Sequence, residues 1–118
     1  MENKSSLCLA VIASTSSLFA ADGTWISLAP MPDPRQEVGA AALNGKIYVI
    51  GGLPRTNTVQ EFTPATNTWR IVSPLPIAVD HTAAAGVGGK LYVMGGDTSS
   101  GPTNALYEYD PALNLWTQ

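Results

Sequence analysis

The sequence predicts an all-β protein built from a repeated unit of four short antiparallel strands. Three observations carry this. KIYVIGG at residues 46–52 returns as KLYVMGG at 90–96. The likeness continues around it: residues 25–52 lie on 69–96 without a gap at an offset of 44, and the later pairs, from Glu61 and Glu108 to Trp69 and Trp116, follow at an offset of 47. No stretch after residue 20 has helical periodicity, whereas the repeated runs are rich in Ile, Val and Tyr, as strands are. Self-similarity at this period marks repeat architectures, whose units bury their faces only against one another.

The elements follow in order. Thr24 to Leu28 matches the fourth strand of a unit that has no first three, and Ala-Pro-Met-Pro follows it. Gly39 to Leu43 is a small, apolar first strand, repeated as Thr82 to Val87. Lys46 to Ile50 and Lys90 to Met94 are second strands, ending on Gly51-Gly52 and Gly95-Gly96. Asn44-Gly45 and Gly88-Gly89 are hairpin turns between first and second strands. Val59 to Thr63 and Leu106 to Asp110 are third strands; Pro64 to Asn67 and Pro111 to Asn114 turn the chain into fourth strands at Thr68 to Ser73 and Leu115 to Gln118. The change of offset places a three-residue insertion after the second glycine pair.

The glycine pair closing a Tyr-containing strand, the Phe62-Thr63-Pro64 and Tyr109-Asp110-Pro111 turns, and the Trp a few residues later (Trp69, Trp116) resemble the kelch repeat, over nearly all of residues 24–118. The resemblance implies kelch-type β-propeller blades, each of four antiparallel strands with the alanine-rich first strand nearest the axis, in an incomplete ring of about two blades. It divides the chain into a lone fourth strand (24–32), a first repeat (33–76) and a second (77–118). Gly51, Gly52, Gly95 and Gly96 then serve the backbone, and Tyr48, Tyr92, Trp25, Trp69 and Trp116 belong to the structural motif, Tyr48, Tyr92, Trp69 and Trp116 filling the space between blades. A ring has about four to eight blades. The missing blades come either from a longer chain of which this is the N-terminal part, or from self-association of two-blade protomers.

Residues 1–20 read as a secretory signal peptide: a short polar start with Lys4, the apolar run Leu7 to Ala13, then small residues around Ala20. The alternative is an apolar tail; the run is too short to span a membrane as a helix. Export would make the protein secreted or periplasmic. The only cysteine, Cys8, lies inside this segment. The net charge of −3, with scattered Lys and Arg, offers no footprint for nucleic acid and no basic patch for a membrane surface.

Strand alternation sends the longer connections to one end: Met31 to Val38, Leu53 to Thr58, Leu75 to His81 and Asp97 to Asn104. Variable loops on a fixed scaffold are where recognition is placed. This end collects Asp33, Arg35, Glu37, Arg55, Asp80, His81 and Asp97, of which Arg35, Arg55, His81 and Asp97 are the candidate binding residues. Arg35 stands where kelch repeats often carry Arg; it either binds an acidic group or pairs with Glu37. His81 is the only histidine. No metal set, phosphate loop or nucleophile elbow appears, so no cofactor and no catalytic residue is expected. The function expected is a non-catalytic binding module for a protein or a glycan. The alternative is the N-terminal part of a carbohydrate-active kelch enzyme, resembling galactose oxidase or sialic-acid epimerases, with its catalytic residues elsewhere.

Overall fold

The computed structural model describes residues 23–118. The signal-like segment and Cys8 lie outside the described residues. Strands β1 (Gly39–Leu43), β2 (Lys46–Ile50), β3 (Val59–Thr63) and β4 (Thr68–Val72) form one antiparallel sheet in sequence order. Strands β5 (Ala83–Val87), β6 (Lys90–Met94), β9 (Leu106–Asp110) and β10 (Leu115–Thr117) form a second sheet of the same design, interrupted by a small ribbon of β7 (Asp97–Thr98) and β8 (Gly101–Pro102) in the loop that the insertion lengthens. Asn44-Gly45 and Gly88-Gly89 all have positive φ, as a tight hairpin with the right twist requires.

The fourth strands each end one residue early, at Val72 and Thr117, and two further expectations shift. The second unit's first strand starts at Ala83, not Thr82; Thr82 is buried and donates its hydroxyl to the Met94 carbonyl at 3.1 Å. Thr24 to Leu28 pairs with nothing among the described residues, and Trp25 is 99% exposed. A strand exists only against a partner, and among the described residues both third strands, β3 and β9, are already paired on each side. What holds it is its end: Trp69 Nε1 donates to the Ala29 carbonyl at 2.9 Å, and Ala29 N donates to Asn67 Oδ1 at 2.7 Å. The same clamp recurs one unit on, with Trp116 Nε1 to the Ser73 carbonyl at 2.8 Å and Ser73 N to Asn114 Oδ1 at 2.8 Å.

Successive side chains of a strand point to opposite faces, so each sheet has a rear face toward the preceding unit and a forward face toward the next. The forward face of the first sheet presents Tyr48, Ile50, Val59, Glu61 and Val72, all at most 5% exposed. It packs on Leu91, Val93, Tyr107, Tyr109 and Trp116 from the rear face of the second sheet. Fully burying one such side chain contributes about 1.5–3 kcal/mol. Tyr48 and Tyr109 meet edge to face with ring centres 6.0 Å apart. The approach is closest at the inner strands, where a Cβ on Gly86 would lie 2.2 Å from the Ala42 carbonyl oxygen. Among the described residues no helix is long and apolar enough to cross a membrane.

Candidate functional site at the loop end

The two ends of the paired sheets differ as the strand order demands. One end carries the tight turns at Asn44-Gly45, Pro64 to Asn67 and their repeats; the other carries the β2–β3 and β6–β9 loops and the links between units. Those loops are stitched at their bases. Gly52 N donates to the Val79 carbonyl at 2.8 Å, and Asp80 and Asp97 exchange backbone hydrogen bonds at 3.0 and 2.8 Å. Gly51, at φ +61°, has no room for a side chain: a Cβ there would lie 2.2 Å from Val79 O.

On this base sits a charged network drawn from both units. The Asp80 carboxylate, 3% exposed, accepts Arg55 Nε at 2.5 Å on one oxygen and His81 Nδ1 at 2.7 Å on the other. The other ring nitrogen of His81, Nε2, lies 3.2 Å from Glu37 Oε2. Glu37 and His81 occupy the same place in successive repeats, both with positive φ (56° and 52°), and His81 N donates to the Glu37 carbonyl at 2.9 Å. Arg55 and Glu37 come from the first repeat; Asp80, His81 and Asp97 come from the second.

The hydrogen bond to Asp80, with the charges of Glu37 and Asp97 behind it, raises the His81 pKa above 6.5. The same bond, then that from Arg55, lowers the Asp80 pKa. The protonated imidazolium is therefore the form this geometry favours, donating to a carboxylate on each side. Asp80, His81 and Asp97 could each turn one ligand atom to a common point, these atoms lying within 4.8 Å of one another. Both Asp80 oxygens are already engaged, however, so a cation would have to displace Arg55 or His81. The arrangement is an ion-pair network whose exposed rim, Arg55, Glu37 and His81, can exchange partners with an incoming charged group.

Of the four candidate binding residues, Arg55, His81 and Asp97 come together here. Arg35 does not join them. Its Nη1 donates to the carbonyls of Gly51 and Thr58 at 2.7 and 3.0 Å, and its Nη2 to Gln60 Oε1 at 2.9 Å, while Gln60 Nε2 donates to Asp33 Oδ2 at 2.9 Å. Arg35 thus ties down the base of the β2–β3 loop, and the carboxylate in its network is that of Asp33. It borders an open hollow of about 490 Å³ with Pro34, Gln36, Leu53 and Pro54. The hub, Asp80, and the bridging Glu37 were not among the four, although the offset of 44 that aligns Glu37 with His81 already placed those two side by side.

Two stretches, residues 34–76 and 80–118, match the family model for the Kelch motif, well over half of the chain. The chain belongs to the kelch family. Human Kelch-like protein 28 is 35% identical over 69 residues, covering 49% of this chain and 12% of that protein. The solved structure of YjhT superposes with a TM-score of 0.68 at 26% identity, over 76% of this chain and 28% of the other. The chain therefore spans about an eighth of the first relative's length and under a third of the second's. The two sheets are kelch propeller blades.

Proposed function

We propose that this kelch module is a non-catalytic binding domain that recognises a protein partner through its loop end, as part of an exported propeller. The observation that carries the reading is the Glu37–His81–Asp80–Arg55 network, which crosses from one blade to the next and leaves charged groups of both signs at the rim. A protein is favoured over a glycan because the loops 31–38, 53–58, 75–81 and 97–104 contain no Phe, Tyr or Trp on which a sugar ring could stack. Arg side chains, by contrast, are favoured anchors at protein interfaces.

The test is selection of peptide binders from a displayed random library on the folded chain, with affinities then measured on variants. Arg55→Ala and Asp97→Ala are expected to weaken the selected binders at least tenfold, and changes at Asn44 or Thr66 on the opposite end to leave them unchanged. Binders indifferent to Arg55 and Asp97 would refute the reading. Export rests on the pattern of residues 1–21. Mass spectrometry of the chain from a secreting host is expected to find Ala21 at the N-terminus; retention of Met1 in the secreted product would count against a cleaved signal.

A further inference from the structure

A hollow of about 520 Å³ opens beside the β7–β8 ribbon, and none of the charged network lines it. Four of its lining residues, Ile77, Ala78, Ala105 and Tyr107, answer in the repeat to Asp33, Pro34, Thr58 and Gln60. The structure keeps that correspondence. Tyr107 pairs with Val93 as Gln60 pairs with Val49, and Gly95 N donates to the Ala105 carbonyl at 3.0 Å as Gly51 N does to that of Thr58 at 3.1 Å. In the first copy Arg35 reaches into this place. Its planar guanidinium donates to the Gly51 and Thr58 carbonyls and to the Gln60 amide oxygen, and Gln60 in turn donates to Asp33. In the second copy Val79 stands for Arg35 and is too short to do the same, while Ile77 stands for Asp33.

Tyr107 is 5% exposed, and among the described residues its hydroxyl has no hydrogen-bond partner, although it is not sealed from solvent as Arg35 Nε is. A polar group so deeply set is stabilised by a partner and costs free energy without one. The rest of the hollow fixes the kind of partner. No charged side chain lines it, so an entering charge would lose its water with nothing to replace it. The lining offers groups that both donate and accept: the hydroxyls of Tyr107, Ser99 and Ser100 and the amides of Asn104 and Gln118. Its wall is already built, since Thr98 Oγ1 donates to the Gly101 carbonyl at 2.8 Å and accepts Ser100 N at 3.1 Å. A primary amide keeps the planar N–H donors that the first copy sets here, carries no charge, and adds an acceptor for the Tyr107 hydroxyl. We propose that this hollow receives the side-chain amide of a glutamine or asparagine from the protein partner. The proposal rests on the reading that the loop end binds a protein.

The test is an NMR titration of the full chain with N-acetylglutamine methylamide, beside its glutamate and methionine analogues. The glutamine compound is expected to give saturable shifts at the backbone amides of Ser99 to Ala105 and of Tyr107, with a dissociation constant on the order of 1 mM, as suits so small a ligand. The glutamate and methionine compounds are expected to give none. Tyr107→Phe removes an oxygen that holds nothing in the free chain. Its thermal denaturation should match that of the wild type, while the glutamine compound binds about fivefold more weakly, the share of one hydrogen bond. Ala78→Trp, at an exposed position on the lining, should plug the hollow and abolish the shifts. No saturable shift with the glutamine compound, an equal response to either analogue, equal affinity in Tyr107→Phe, or shifts that survive Ala78→Trp would overturn the proposal. Peptide binders that depend on Arg55 and Asp97 would still support the binding reading in that event, so the two fail separately.

Discussion

Replacing Glu61 by Gln should remove about 3 kcal/mol of stability at neutral pH and under about 0.5 kcal/mol at pH 2. Glu61 is 1% exposed in the middle of β3 and accepts four hydrogen bonds, from Arg70 Nε and Nη2, Lys46 Nζ and the Tyr48 hydroxyl. Burial alone would push its pKa up. The bonds from Arg70, Lys46 and Tyr48 overcome burial and hold it at about 2, against 4.5 for a free carboxyl. Each tenfold change in proton affinity corresponds to about 1.4 kcal/mol, so the ionised form gains about 3 kcal/mol from folding. Because the folded value is the lower one, this contribution is complete above pH 4.5 and is lost as pH falls toward 2. The independent expectation for breaking a buried ion pair, about 3–5 kcal/mol, is of the same size. Urea denaturation followed by far-UV circular dichroism, at intervals from pH 7 to pH 2, reads both chains side by side; the other carboxylates cancel in the difference. A gap between wild type and Glu61→Gln that stayed constant across that range, or was under about 0.5 kcal/mol at pH 7, would refute the reasoning.

Three other outcomes are expected. Gly86→Ala should destabilise the chain by about 1–3 kcal/mol, the range for overpacking a close contact, because its methyl would meet the Ala42 carbonyl oxygen; a neutral result in thermal denaturation would show that the inner strands do not approach as described. Asn114→Ala should cost about 1–3 kcal/mol, because Asn114 Oδ1 accepts from both Ser73 N and the Tyr109 hydroxyl and the residue has positive φ. Asn67→Ala should cost less in the same assay, since among the described residues Asn67 Oδ1 accepts one hydrogen bond, from Ala29 N.

The repeat made most of the fold legible. Second and third strands fall at the residues read from the alignment, because side-chain alternation and the Asn-Gly and Pro-to-Asn turns specify them locally. What depends on partners was not legible. Thr24 to Leu28 has the sequence of a fourth strand yet forms no ladder among the described residues, since both third strands, β3 and β9, are already paired on each side. The β7–β8 ribbon arises in the loop that the three-residue insertion lengthens, for which the first copy has no counterpart of equal length. At the loop end the sequence placed Arg55, His81 and Asp97 on one surface, but the role of Asp80 as hub depends on the distance between neighbouring blades. Arg35 shows the same limit from the other side. Its motif position was visible, whereas its use on the backbone carbonyls of Gly51 and Thr58 follows from how the loop folds back.

The central claim is that packing the two blades fuses their loop ends into one surface, setting Glu37 of the first repeat against His81 of the second. The most direct test is the NMR titration of the His81 ring in the wild type and in Glu37→Gln. The wild-type pKa is expected above 6.5, with the imidazolium held by Asp80 and Glu37 and released as pH rises through that value. Removing the Glu37 charge should lower it. A His81 pKa identical in the two proteins would mean that the blades do not bring these residues together.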